Sequence, residues 1–142
     1  MPAYFFDTSA LVKRYHIEEG SEKVDEIFND TEGIFAIVSI TIAEFTSVFA
    51  RKLKEGIITE DDLRICLSEF SKDMISSFGI VDLGRNHINT SVSLIIKHNL
   101  RTLDSLQLAA FLDLSHLNPI MVTYDEALLN ATLKEGFQTI RP

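Results

Sequence analysis

Two kinds of hydrophobic spacing alternate along the chain. Short unbroken apolar runs stand at Tyr4-Phe5-Phe6, Ile34-Phe-Ala-Ile-Val-Ser39 and Pro119-Ile-Met-Val-Thr-Tyr124. Unbroken, β-branched runs of this length are what strands buried on both faces show. Weaker strands are predicted at Phe78–Leu83 and Phe137–Ile140. Between them the apolar residues recur every three or four positions, the period of a helix with one buried face. That spacing predicts helices over 10–14, 21–28, 41 to about 54, 86–98, 103–114 and 126–134. Gly56 and Gly136 stand as stops. Thr59-Glu-Asp-Asp62 opens one more helix, with Leu63, Leu67 and Phe70 on one face. Strands alternating with helices over short connections imply right-handed crossovers and a parallel sheet covered on both sides. The expected fold is α/β: one domain over residues 1–142, three-layer α/β/α, with a central parallel β-sheet.

Composition narrows the class. A chain of 142 residues is near the commonest domain size. No apolar run approaches the roughly 18 to 20 residues that a membrane helix needs. The segment before Asp7 lacks the basic region of a secretory signal, and a single cysteine, Cys66, excludes an internal disulfide framework and a cysteine-rich zinc site. Cys66 is expected as a small buried hydrophobe, and the protein as cytoplasmic with no membrane contact. The formal net charge of −8 argues against a broad nucleic-acid surface. The total does not locate the basic residues, however, and carboxylates that hold divalent metal lower the count without repelling the loaded complex.

Four acids carry the candidate chemistry, and each alone has a structural explanation. Asp7 closes the first strand and can cap the helix after it. Glu44 stands three residues after Thr41, in capping-box spacing. Asp104 opens its helix, and Asp125 follows the strand ending at Tyr124 and can cap the last helix. Together they acquire another meaning. The carboxyl ends of parallel strands share one edge, where open α/β sheets bind ligands. Converging carboxylates repel one another without a counter-charge. Mg²⁺ and Mn²⁺ supply such a charge, favour oxygen ligands and suit phosphoryl chemistry. His16, His87, His98 and His116 are scattered without metal-ligand spacing and are expected at surfaces or helix ends. No Gly-rich phosphate loop or nucleophile elbow is present.

These residues also carry a family resemblance. Asp7-Thr-Ser-Ala-Leu-Val-Lys-Arg-Tyr15 resembles the opening motif of PIN-domain proteins, particularly VapC-type toxins of prokaryotic toxin–antitoxin pairs. The similarity continues through Ser39-Ile-Thr-Ile-Ala-Glu44-Phe, Leu103-Asp104-Ser-Leu-Gln-Leu-Ala-Ala110 and Thr123-Tyr-Asp125-Glu-Ala-Leu-Leu-Asn-Ala131. The resemblance implies a PIN fold, Mg²⁺- or Mn²⁺-dependent endonucleolytic cleavage of RNA, a homodimer, and an antitoxin that blocks the site. By position it makes Asp7 and Asp104 the principal metal ligands. Glu44 would bind metal or orient the water, and Asp125 would complete the shell, with Glu126 a competing neighbour. Ser9 and Thr123 match small hydroxyl positions beside the substrate.

For an acidic protein the resemblance requires a narrow basic rim. Lys13 and Arg14, then Arg51, Lys52 and Lys54, are the candidates, with Arg85, Lys97 and Arg101 as additions. Three alternatives remain open: a catalytically idle PIN-like protein-binding module, a free-standing PIN nuclease in RNA processing, and a phosphatase using Asp7 as nucleophile. Ser9 stands where haloacid dehalogenase-like phosphatases would place a second acid, which disfavours the last.

Overall fold

Five strands and seven helices alternate along residues 1–142, all of which are described by a computed structural model. β1 (Ala3–Phe6) leads through α1 (Thr8–Leu11), a 3-10 turn at Val12–Arg14 and α2 (Ser21–Phe28) into β2 (Ile34–Val38). Two long helices, α3 (Ile40–Lys54) and α4 (Glu60–Ser76), precede β3 (Phe78–Val81). Then follow α5 (Arg85–His98), α6 (Thr102–Asp113), a 3-10 turn at Ser115–Leu117, β4 (Ile120–Val122), α7 (Glu126–Lys134) and β5 (Gln138–Ile140). No helix is long and apolar enough to cross a membrane.

The sheet is wholly parallel, in the order β3-β2-β1-β4-β5. The chain steps outward from β1 to β3, then returns to the far side of β1 for β4 and β5. Strand order therefore reverses between β1 and β4, and right-handed crossovers put the helices before and after the reversal on opposite faces. The three-layer α/β/α architecture expected from the spacing is the one observed.

The strand period of two explains why both faces are buried. Phe6, Ile37 and Val122 point into one cluster with Leu11, Val24, Phe45, Phe49 and Phe70. Their neighbours Phe5, Ala36, Val38 and Met121 point into the other, with Leu94, Leu108, Phe111 and Leu128. The first cluster is dominated by aromatics: the Phe45 ring centre lies 4.1 Å from that of Phe70 and 4.6 Å from that of Phe49, and Tyr15 meets Phe45 edge-on at 5.2 Å. Cys66 is buried there as expected, its thiol donating to the Tyr15 carbonyl at 3.1 Å.

Local chemistry sets the element ends. α4 opens at Thr59 as expected, on a capping box in which Thr59 accepts from Asp62 N–H and Asp62 accepts from Thr59 N–H. β3 stops at Val81, short of the expected Leu83, because Leu83 N–H donates to Ser39 Oγ at 3.0 Å and not to a ladder partner. The histidines lie at helix ends or surfaces: His87 caps Gly84 N–H at the start of α5, and His98 closes the same helix against Glu135.

The shared aromatic contact makes a direct prediction. Truncating the fully buried Phe45 to alanine should lower unfolding free energy by about 3–5 kcal/mol, measured by urea denaturation. Ile75→Ala, at a position 90% exposed, should change it by less than about 0.5 kcal/mol.

Candidate active site

Asp7 sits where the strand order reverses. Its backbone N–H extends the sheet to Val122 O at 3.2 Å, and its extended backbone then turns the chain into α1 as the N-cap. Oδ1 accepts from Ser9 Oγ at 2.7 Å and Ala10 N–H at 3.2 Å; Oδ2 accepts from Thr123 Oγ1 at 2.8 Å. Both hydroxyls pass the bonding on, since Ser9 Oγ accepts from Tyr124 N–H at 3.0 Å and Thr123 Oγ1 from Asp125 N–H at 2.9 Å. One buried carboxylate thus ties the ends of β1 and β4 together and sets the position of Asp125. A hydroxyl has one proton, and those of Ser9 and Thr123 are directed at Asp7. Within the protein these two hydroxyls hold Asp7 and the backbone of Tyr124 and Asp125.

The other acids reach the same edge from three helices. Asp125 is the N-cap of α7, its Oδ1 accepting from Leu128 N–H at 2.9 Å. Glu126, one residue on, is exposed. Glu44 lies in the second turn of α3 and makes no capping box, because the helix already begins at Ile40. Its Oε1 accepts instead from Thr8 Oγ1 at 3.0 Å and Gln107 Nε2 at 2.9 Å. Asp104, in the first turn of α6, is half-buried and accepts no hydrogen bond from the protein. Strand spacing alone does not place it on this edge, because no strand directly precedes its helix. Packing of α6 over the sheet, with Leu108 and Phe111 in the second core cluster, carries it there.

The electrostatics follow from this crowding. Burial is the main force raising the Asp7 carboxyl to about 7; hydrogen bonds from Ser9, Thr123 and Ala10 pull it down, and the Asp125 charge pushes it further up. Burial also raises Asp104, to about 6, reinforced by Asp125 and Glu44 and opposed by Arg101. The open acceptors are both oxygens of Asp104, Oε2 of Glu44 and Oδ2 of Asp125. This all-oxygen donor set, held in mutual repulsion, fits a hard divalent cation. No three acidic, histidine or cysteine side chains converge closely enough to cage an ion by themselves. One or two carboxylates completed by water and phosphate is the arrangement typical of Mg²⁺.

Ion pairing divides the candidate cations of the basic rim into two groups. Lys13 pairs with Glu18 at 3.3 Å, donates to Glu19 O at 2.7 Å and covers the Tyr124 ring. Arg14 pairs with Asp73 at 3.2 Å and lies over Phe28, so it braces α4. Neither presents a free cation. Lys52 and Lys97 are also paired, to Glu18 and Glu135, whereas Arg51, Lys54, Arg85 and Arg101 form no ion pair. A depression of about 710 Å³ lined by Lys13, Gly20, Tyr124 and Arg141 lies beside the site and contains none of the four acids. Two residues of the network, Thr8 and Gln107, escaped the sequence reading. A lone buried glutamine in the run Leu106-Gln-Leu-Ala-Ala-Phe111 was the available signal for the second.

Asp7 ties stability to pH in a defined direction. Its folded value near 7 lies above the unfolded value near 4, so its contribution is complete below about pH 4 and lost as pH rises through 7. In EDTA, Asp7→Asn should therefore stabilise the protein at pH 8 by about 1–3 kcal/mol and have little effect at pH 4, read from denaturation curves at both pH values. Equal curves for the two proteins at pH 8 would contradict this.

Comparison with known proteins agrees with this architecture. The chain is similar in fold to the sarcin–ricin-loop-cleaving toxin VapC20 of Mycobacterium tuberculosis, with a TM-score of 0.72 at 10% identity over 98% of this chain and 99% of that one. It is also similar to a protein of Pyrobaculum aerophilum (TM-score 0.65, 20% identity, 97% and 83% covered). A chain of VapBC2 from Rickettsia felis, bound to promoter DNA, gives a TM-score of 0.63 at 14% identity, with 97% of each chain covered. No curated protein matches in sequence. The PIN-domain family profile matches residues 4–132, spanning β1, the reversal point and all four acids, and the chain belongs to the PIN-domain family.

Proposed function

We propose that this protein is a divalent-metal-dependent RNA endonuclease acting as the toxin of a toxin–antitoxin pair. The observation that carries the reading is Asp104: a half-buried carboxylate, free of protein hydrogen bonds, crowded by Asp125 and Glu44. Such an arrangement is unfavourable as a bare structural element and useful as a cation site. Asp104 with one further carboxylate would hold Mg²⁺ or Mn²⁺ directly, and the remaining acids among Glu44, Asp125 and Asp7 would act on the ion through its bound water. The ion would supply a water of lowered pKa and offset phosphate charge. The protein residues do the rest: Asp7 holds the β1 and β4 ends in register, and Glu44 and Asp125 set the outer acceptors on either side of Asp104. Relatives of this fold that are toxins or sit in toxin–antitoxin complexes support the biological role and an antitoxin partner.

A homodimer belongs to the same reading. Residues 86–96 of α5 carry no Asp, Glu, Lys or Arg, and Ile88, Val92 and Ile96 are exposed along one face. On a chain of net charge −8, this uncharged strip is where a second copy can approach without like-charge repulsion.

Asp104→Asn should reduce Mn²⁺-dependent cleavage of a structured RNA by at least about 100-fold while leaving the fold intact, monitored by gel assay and circular dichroism. Full metal-dependent cleavage by that variant would sink the nuclease reading. RNA affinity should depend on Arg101, the unpaired cation whose charge reaches Asp104. Arg101→Ala should lower the slope of log affinity against log salt by about 1, and Arg14→Ala should leave it unchanged.

A further inference from the structure

Gln107 is 3% exposed, and it is the polar exception among Leu106, Leu108, Ala109, Ala110 and Phe111. Its Nε2 directs one N–H to Thr41 Oγ1 and the other to Glu44 Oε1, both at 2.9 Å. That use of both protons fixes the amide orientation, because the reversed amide would set its oxygen against the Glu44 carboxylate. The consequence is a buried Oε1 with no protein donor. A buried acceptor left unpaired costs about 1–3 kcal/mol, and an apolar side chain of the same size would fill the space without that penalty. Packing alone therefore does not account for the residue.

What the amide does is hold one oxygen of Glu44. Thr8 Oγ1 donates to the same oxygen at 3.0 Å from the opposite side of the sheet edge, where Thr8 follows Asp7. Both donors converge on Oε1, and Oε2 is left without a protein partner. We propose that Gln107 is a positioning residue that, with Thr8, clamps Glu44 by Oε1 so that Oε2 remains directed outward as the acceptor for the cation. The proposal rests on the metal-dependent reading above. It links α6 to α3 through a hydrogen bond between a residue one turn beyond Asp104 and the acid that Asp104 must meet.

Gln107→Met keeps volume and removes both donors. The test measures Mn²⁺ binding to the full chain by titration calorimetry, beside melting temperature and the separate kcat and KM for a structured RNA. The expected result is a folded variant that binds Mn²⁺ roughly 10-fold more weakly and loses roughly 10- to 100-fold in kcat with KM little changed, as loss of an outer hydrogen-bond partner does at other metal sites. Thr8→Val removes the other donor to the same oxygen and should show the same split. Its effect should be less than additive with that of Gln107→Met. If Gln107→Met fails to fold, Thr8→Val alone decides. A folded variant with unchanged Mn²⁺ affinity and kcat overturns the clamp and leaves the carboxylate site standing. No Mn²⁺ binding by the unsubstituted chain overturns that site, and the clamp with it.

Discussion

The bonding of Asp7 is the constraint on which the site depends. A parallel sheet leaves its strand ends at one edge but does not by itself fix how those ends meet. Here the carboxylate at the end of β1 accepts from Ser9 and Ala10 on its own side and from Thr123 at the end of β4. The two hydroxyls then hold the backbone of Tyr124 and Asp125. The reversal of strand order places these two ends side by side, with crossovers departing to opposite faces of the sheet. A short buried acid at that junction does what a longer side chain could not: it reaches both strands without opening a gap between them.

The same crowding that organises the edge sets its electrostatics. Burial, more than repulsion, raises Asp7, whereas Asp104 feels burial and then two neighbouring carboxylates. The two acids thus divide the work. Asp7 has its oxygens occupied by protein donors and acts as the fixed point, and Asp104 has its oxygens open. Glu44 stands between these conditions, one oxygen clamped by Thr8 and Gln107 and the other free. This ordering differs from one in which four equivalent carboxylates surround an ion, and it suits a cation that keeps most of its water.

Charge elsewhere on the surface is arranged around structure before substrate. Lys13, Arg14 and Lys52 are consumed in ion pairs that brace the loop after α1 against α3 and α4. Gly20 lies in the same loop with φ at +94°, where a Cβ would collide with Tyr124 Oη. The cations left unpaired include Arg101 at the start of α6 and Arg51 on α3, the helices that carry Asp104 and Glu44. An acidic protein can therefore present a local basic rim without a basic face.

The amino-acid sequence by itself determined the order of strands and helices, their burial on both faces and the wholly parallel character of the sheet. Those follow from local periodicity and from crossover handedness, which act over a few residues or one connection. Asp7 and Asp125 were legible as strand-end acids for the same reason, and as helix caps they are both. Tertiary structure alone decided the rest. Glu44 had capping-box spacing, yet its partners, Thr8 and Gln107, lie 36 and 63 residues away. Asp104 reaches the edge only because α6 packs its apolar residues across the sheet. Lys13 and Arg14 are candidate phosphate contacts by sequence, and only the fold shows that Glu18 and Asp73 pair with them. Periodicity encodes which face of an element is buried, but which side chains from distant elements meet depends on how those faces stack, and here that stacking assigns each acid its role.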